Sequence, residues 1–213
     1  MEDVLDVYET PYNPARPVVC MDEKPYQLLG DAREPLPMRP GDDLKIDSEY
    51  IREGTCSIFA FTEPLGGARH VSVREHRTAI DWAEEVHYLV DVQYPDVEKI
   101  ILVMDNLNTH AISSLYKAFP PEIARRIARK LEIHFTPKHG SWLNMCEIEL
   151  NVMTRQCLSR RIDDIDTLRS ELAEWETNRN TEAAKIIWHF RTSDSRVKLI
   201  SLYPKLSPAL LLE

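Results

Sequence analysis

Three carboxylates sit in contexts that suit metal-dependent chemistry on a phosphodiester. Asp22 closes the apolar run Val18-Val19-Cys20-Met21 and is followed by Glu23. Asp105 closes a second run, Ile100-Ile101-Leu102-Val103-Met104. Glu147 lies early in a helical pattern, Trp142-Leu143-Asn144-Met145-Cys146-Glu147. Near-continuous apolar runs are central strands, so acids at their ends emerge where a sheet collects its ligands. Two strand-end acids and one helix acid give the oxygen-only donor set that hard divalent cations take. Two such ions ~3.5–4 Å apart activate a water or hydroxyl and relieve charge on the leaving oxygen. Taken singly, each acid is more often a solvated edge residue; their shared placement is what lifts them. Periodicity does not choose the helix acid. At ~100° per residue, Glu147 and Glu149 are offset about equally from the apolar stripe, on opposite flanks.

The elements that must carry these acids follow from the pattern. Residues 1–16 read as a lead-in with a short helix near Val4 to Tyr8, stopped by Pro11 and Pro14. A first strand spans 17–23, and 24–54 is irregular because Pro25, Pro35, Pro37, Pro40, Gly30 and Gly41 break it. Strands at 56–62 and 70–76 form a hairpin through Gly66-Gly67. Thr78 and Asp81 make a capping box for a helix ended by Pro95. A central strand at 99–105, helices at 110–118 and 121–130, a strand at 131–135 and helices at 142–160 and 164–178 complete the chain. This predicts an α/β fold, a mixed five-stranded sheet flanked by helices. The main domain is 17–200, with 201–213 as a tail.

Bulk numbers narrow the classes. The chain has 213 residues, 43% hydrophobic and 29% charged, enough to bury a core. No apolar run reaches the ~20 residues of a membrane span, and the acidic start is unlike a signal peptide. Cys20, Cys56, Cys146 and Cys157 lack metal-site spacing and read as reduced, buried thiols of a cytoplasmic protein. The net charge of −9 argues against autonomous tight DNA binding. Arg125, Arg126, Arg129, Lys130 and Lys138, then Arg155, Arg160 and Arg161, soften that by clustering.

Several neighbours of the acids carry paired readings. Asn106 and His110 could orient a ligand or touch a phosphate; the plain alternative is a helix start capped by Asn108 or Thr109. Lys24 and Lys138 are candidate phosphate contacts or ordinary surface lysines. His139 could face DNA, while Ser141 reads as an N-cap. Cys146 reads as core packing.

At these residues the sequence resembles the catalytic domain of a DDE transposase of the mariner superfamily, in its bacterial insertion-sequence branch. The resemblance rests on Val19-Cys20-Met21-Asp22-Glu23-Lys24, on Leu102-Val103-Met104-Asp105-Asn106-Leu107-Asn108-Thr109-His110, and on Phe135-Thr136-Pro137-Lys138-His139-Gly140-Ser141-Trp142-Leu143-Asn144-Met145-Cys146-Glu147. The stretch Trp175-Glu176-Thr177-Asn178-Arg179-Asn180 fits as well. The resemblance implies a ribonuclease-H-like fold, with Asp22, Asp105 and Glu147 on two Mg²⁺ or Mn²⁺ ions. It selects Glu147 over Glu149 because the family's acid follows the Asn, here Asn144, by three. It implies cleavage at transposon ends and transfer of the freed 3′-hydroxyl to a TA target, by a homodimer on double-stranded DNA. Such transposases carry N-terminal helix-turn-helix modules, which residues 1–16 do not supply, so the chain reads as a catalytic half needing a separate DNA-binding module. The competing readings are a non-catalytic remnant that regulates or dimerises, and a stand-alone ribonuclease-H-like nuclease.

Overall fold

A computed structural model of the chain describes residues 1–43, 45–138 and 140–203. Five strands, β1 (Val18–Asp31), β2 (Tyr50–Glu63), β3 (Ala68–Arg74), β4 (Ile100–Met104) and β5 (Leu131–Phe135), lie in the order β3-β2-β1-β4-β5. β1, β2 and β3 form an antiparallel meander, and β4 and β5 join parallel to β1. This is the mixed sheet expected of a ribonuclease-H-like fold. The described helices are α1 (Glu2–Glu9), α2 (Ala79–Tyr88), α3 (Ile112–Ala118), α4 (Pro121–Lys130), α5 (Cys146–Gln156), α6 (Ile165–Glu182) and α7 (Thr192–Lys198).

Alternation along the strands sorts the core into two layers. Val19 and Met21 of β1 and Ile100, Leu102 and Met104 of β4 pack with Trp82, Val86, Leu115 and Ile127 of α2, α3 and α4. Cys20 and Val103 face the other way, against Val4 and Leu5 of α1 and Leu143 and Cys146 at the start of α5. The short helix expected within residues 1–16 is present as α1 and packs into the core, with Val4 and Leu5 fully buried. Farther along, Leu28, Cys56, Ile58 and Val73 pack under Met153, Leu168, Leu172 and Trp175 of α5 and α6. All four cysteines are buried and free, as expected.

Two expectations need correction. The first strand does not stop at residue 23, and 24–54 is not irregular throughout: β1 continues to Asp31 and β2 begins at Tyr50. Beyond Cys20, β1 is paired with β2 alone, so it becomes the free edge of a ribbon. A proline such as Pro25 is tolerated there because its missing N–H is not owed to a second neighbour. The helix expected at 142–160 is shorter. A 3₁₀ turn at Ser141–Leu143 precedes α5, which spans Cys146–Gln156. Ser141 does not cap it. Neither Asn108 nor Thr109 caps α3, whose N-cap is Ala111 with no side-chain bond. The Thr78–Asp81 capping box is present. In the Gly66-Gly67 hairpin, Gly67 has φ +78°, and a Cβ there would lie 2.5 Å from the Ala183 carbonyl oxygen. Of the expected tail, 204–213 lies outside the described residues.

The sheet's outer edge is closed by side chains from α6. Asn180 accepts from the Arg69 N–H at 2.7 Å and donates to the Arg69 carbonyl at 2.9 Å, and Glu176 accepts from the Val71 N–H at 2.9 Å. Edge strands left bare invite pairing with other chains, and here polar side chains occupy the edge. Beneath them Glu149, 3% exposed, meets Arg69 Nη2 at 2.8 Å and Arg179 Nη2 at 3.1 Å. Burial alone would raise the Glu149 carboxyl, but the hydrogen bonds from Arg69 and Arg179 outweigh it and hold it below its ordinary value. Removing one partner of a buried pair strands the others at a cost of roughly 3–5 kcal/mol. Glu149→Ala is therefore expected to lower urea-unfolding stability by about that amount, whereas Glu147→Ala, outside this network, shifts it by less than about 0.5 kcal/mol. Equal effects of the two substitutions would contradict this division of labour.

Candidate active site

Register places the two aspartates. Val18, Val19 and Cys20 of β1 pair with Ile101, Leu102 and Val103 of β4 in parallel. Continued two residues past its last pair, that register points Asp22 toward Asp105, and the Asp105 charge is felt at Asp22. Asp22 follows Cys20 in alternation and so belongs to the α5 side of the sheet, whereas Asp105 is the first residue after β4 and its carboxylate touches His110. Asp22 is not at a strand end, as its sequence suggested, since it pairs with Ala60 in mid-β1. It sits where β4 stops and the sheet thins, which opens a cleft on that side.

The start of α5 is fastened to this point by Asn144. The buried Asn144 amide donates to the Met21 carbonyl at 2.8 Å, one residue before Asp22. Its Oδ1 accepts from the Cys146 N–H at 3.1 Å, and its own carbonyl accepts from the Glu147 N–H at 3.1 Å. The Asn-x-x-Glu spacing is thus a clamp that ties the first turn of α5 to β1. Asn144 is buried, and both its amide nitrogen and its amide oxygen are used in this fastening. Cys146 donates its thiol to the Ala60 carbonyl at 3.3 Å, a packing role. A cleft of about 320 Å³ is lined by Asp22, Glu23, Lys24, Glu147 and Asn151. Glu149, two residues from Glu147, points instead into the arginine network.

Electrostatics record the crowding. Burial, and then the charges of Asp105, Glu147 and Glu23, raise the Asp22 carboxyl to about 6, against an opposing hydrogen bond from the Glu23 N–H. Across the sheet, His110 is fully buried and stacked on Trp82 with ring centroids 5.9 Å apart. Its Nε2 lies 2.9 Å from Glu23 Oε1, and its Nδ1 lies 3.1 Å from the Asp105 carbonyl and 2.6 Å from Asp105 Oδ1. Burial opposes its charge, yet contacts with Asp105 and Glu23 outweigh that and raise His110 to about 9. The Nδ1 hydrogen is aligned with the carbonyl, so Asp105 Oδ1 remains a buried oxygen without an aligned donor. Glu23 Oε2 is likewise unpaired, with Arg77 3.8 Å from it.

Asn106 and Lys138 are exposed, and His139 lies outside the described residues. The 125–130 basic run leads directly into β5, which is parallel to β4, so it lies at the sheet end opposite Asp105. Sequence reasoning missed Glu23 as a functional neighbour. The signal was there: if Asp22 faces one side of a buried strand, Glu23 must face the other and needs a partner.

The donor set suits a hard cation: carboxylate oxygens, one of them buried and undonated, with like charges crowding Asp22. Among the described residues no three potential ligands converge closely enough to hold an ion as they stand. The carboxylates line an open cleft rather than a closed cage.

Residues 17–169 match the model of a family described as DDE superfamily endonuclease. Among solved structures, the chain is similar to the Mos1 mariner paired-end complex with Mn, at 16% identity and TM-score 0.57, over 84% of this chain and 53% of that one. It is also similar to the Mos1 transposase paired-end complex with left transposon end, at 15% identity and TM-score 0.56, over 84% and 54%. The Mos1 strand transfer complex matches at 14% identity and TM-score 0.56, over 82% and 50%. These likenesses show a shared fold, and the chain spans about half the length of those chains. No curated protein matches the sequence.

The raised Asp22 value has a signed consequence. A carboxyl whose folded value lies above its unfolded one favours folding at low pH and loses that contribution as pH rises, here between about 4 and 6. With chelator present, Asp22→Asn should match wild type near pH 4 and exceed it above pH 6.5, by on the order of 1–3 kcal/mol. Urea unfolding across that range measures the difference; a constant gap would remove the assignment.

Proposed function

Because the chain belongs to the DDE superfamily endonuclease family, we propose that it is the catalytic part of a transposase that cuts transposon ends and joins them to target DNA. The observation that supports this reading is the crowding of acids around Asp22, whose carboxyl is raised by burial and by the charges of Asp105 and Glu147. Continued past its last pair, Cys20 with Val103, the parallel register would bring Asp22 toward Asp105, and Glu147 lines the same hollow as Asp22.

Asp22 and Asp105 would hold two divalent ions, Mg²⁺ or Mn²⁺, with Glu147 completing the set. Bound there, the ions supply Lewis acidity to the scissile phosphate and a nucleophile at neutral pH. The protein's own work is positional. Asn144 ties the first turn of α5, with Glu147, to β1, and His110 bonds the Asp105 carbonyl and lies 2.6 Å from its Oδ1. Lys24, on the cleft wall, would meet a backbone phosphate. No side chain need be acylated or phosphorylated, so cleavage and transfer are successive attacks by water and by a 3′-hydroxyl.

Double-stranded DNA is the substrate in this reading, with a TA target and a homodimer spanning two ends. Recognition of the ends belongs to a DNA-binding module, joined to this chain or separate from it. The surface charge supports that division. Arg126 is engaged by Asp91, Arg161 by Asp31 and Arg160 by Glu171, so much of the clustered basic charge is used internally. A cytoplasmic, nucleoid-associated location in a bacterium follows from the same reading. No described helix is long and apolar enough to cross a membrane.

The test is nicking of DNA that carries the terminal repeats, with Mg²⁺ or Mn²⁺ and a DNA-binding module supplied in trans. Asp105→Ala and Glu147→Gln are each expected to fall below about 1% of wild type, the scale of losing one transition-state contact. Metal-independent cutting, or cutting that survives Asp105→Ala, rules the assignment out. Preference for an RNA–DNA hybrid over transposon ends would point to the nuclease alternative.

A further inference from the structure

β1 presents two acids in succession, and alternation turns their side chains to opposite faces of the sheet. Glu23 turns toward α2 and α3, where its side chain is 3% exposed. A carboxylate so deeply buried is unfavourable unless something engages it. His110 does so: Nε2 lies 2.9 Å from Glu23 Oε1, while Nδ1 of the same ring reaches Asp105 Oδ1 at 2.6 Å and the Asp105 carbonyl at 3.1 Å. Trp82 stacks against the ring, and the His110 N–H is fixed to the Leu107 carbonyl at 2.9 Å. One rigid imidazole therefore spans from the residue after Asp22 to Asp105 itself. Past Cys20 and Val103, no described backbone pairing links β1 to β4. The brace takes over where the backbone ladder ends.

We propose that Glu23 is a positioning residue that, through His110, fixes the place of Asp105 and its spacing from Asp22. The inference rests on the reading of Asp22 and Asp105 as cation-holding groups. It assigns Glu23 no contact with metal or DNA. Partners that orient a metal-binding side chain commonly change metal affinity by about 10–100-fold when removed. The geometry also makes a distinction between shape and charge. A glutamine at 23 can still hydrogen-bond Nε2, since its amide accepts or donates as the ring requires. An alanine cannot.

Mn²⁺ titration followed by electron paramagnetic resonance tests this on the full chain without relying on activity. Glu23→Ala should weaken Mn²⁺ binding by about 10-fold or more, while Glu23→Gln stays within about threefold of wild type. Asp105→Ala serves as reference and should abolish the site. Circular dichroism and thermal melts of each variant separate loss of fold from loss of affinity, and Glu23→Gln keeps the question open if Glu23→Ala does not fold. If Asp105→Ala weakens binding but Glu23→Ala leaves it unchanged, the brace is refuted while the metal reading stands. If Glu23→Gln is as weak as Glu23→Ala in a folded protein, charge rather than position is responsible, and the proposal is overturned. If Asp105→Ala has no effect on Mn²⁺ binding, the metal reading itself fails.

Discussion

The parallel register of β1 with β4, combined with the two-residue alternation of strand side chains, is the constraint on which the rest of the molecule depends. Cys20 opposite Val103 fixes every other residue of both strands. Val19, Met21, Leu102 and Met104 must then face α2, α3 and α4, and Asp22 must face α5. A slip of one residue would exchange the faces, placing an aspartate in the apolar layer and a methionine in the cleft. The cost of burying an unpaired carboxylate amounts to several kcal/mol, which makes the register strongly specified. Placement of the candidate site and packing of the core are thus the same fact.

That arrangement concentrates negative charge, and the fold treats its acids unequally. Glu149 is given two arginines, closed off from water and used to hold α5 and α6 against β3. Glu147, two residues earlier, is left on the cleft with Asp22. Asp22 receives only its neighbour's N–H, while three other carboxylates push its own carboxyl upward, secondary to burial. Charge neutralised inside a protein stabilises it. Charge left crowded and half-buried destabilises it until a cation arrives. The contrast between the glutamates shows which of the two the structure is built on and which it leaves available.

Much of this was legible in the sequence, for identifiable reasons. Val18–Met21 and Ile100–Met104 are apolar on both faces because both faces are covered, so their identity as central strands was readable from composition alone. The capping box at Thr78 and the glycine hairpin at 66–67 are local, and local chemistry survives into the fold. What failed was non-local. Pro25 and Gly30 read as breakers, yet their strand is paired on one side only, and a single neighbour asks less of the backbone. Helical arithmetic could not separate Glu147 from Glu149 because the answer lies in Arg69 and Arg179, far away in sequence. Glu23 escaped notice because its partner, His110, is joined to it only through the sheet.

The acidity of the chain, −9 overall, bears on how a site of this kind would meet DNA. Affinity for a duplex scales with the number of phosphates that free cationic groups neutralise. Here Arg16, Arg74, Arg126, Arg161 and Arg196 are already paired with Glu132, Glu84, Asp91, Asp31 and Glu2. The 125–130 run sits at the far end of the sheet from the aspartates. Exposed pairs contribute little to stability, so their main effect is to lower the charge offered to a polyanion. A cleft ringed with carboxylates repels a phosphate until cations fill it, after which the same oxygens hold positive charge toward the substrate. On the proposed reading, metal binding and DNA engagement are therefore one coupled event at this surface, and the persistent grip on DNA has to come from basic surface outside the cleft.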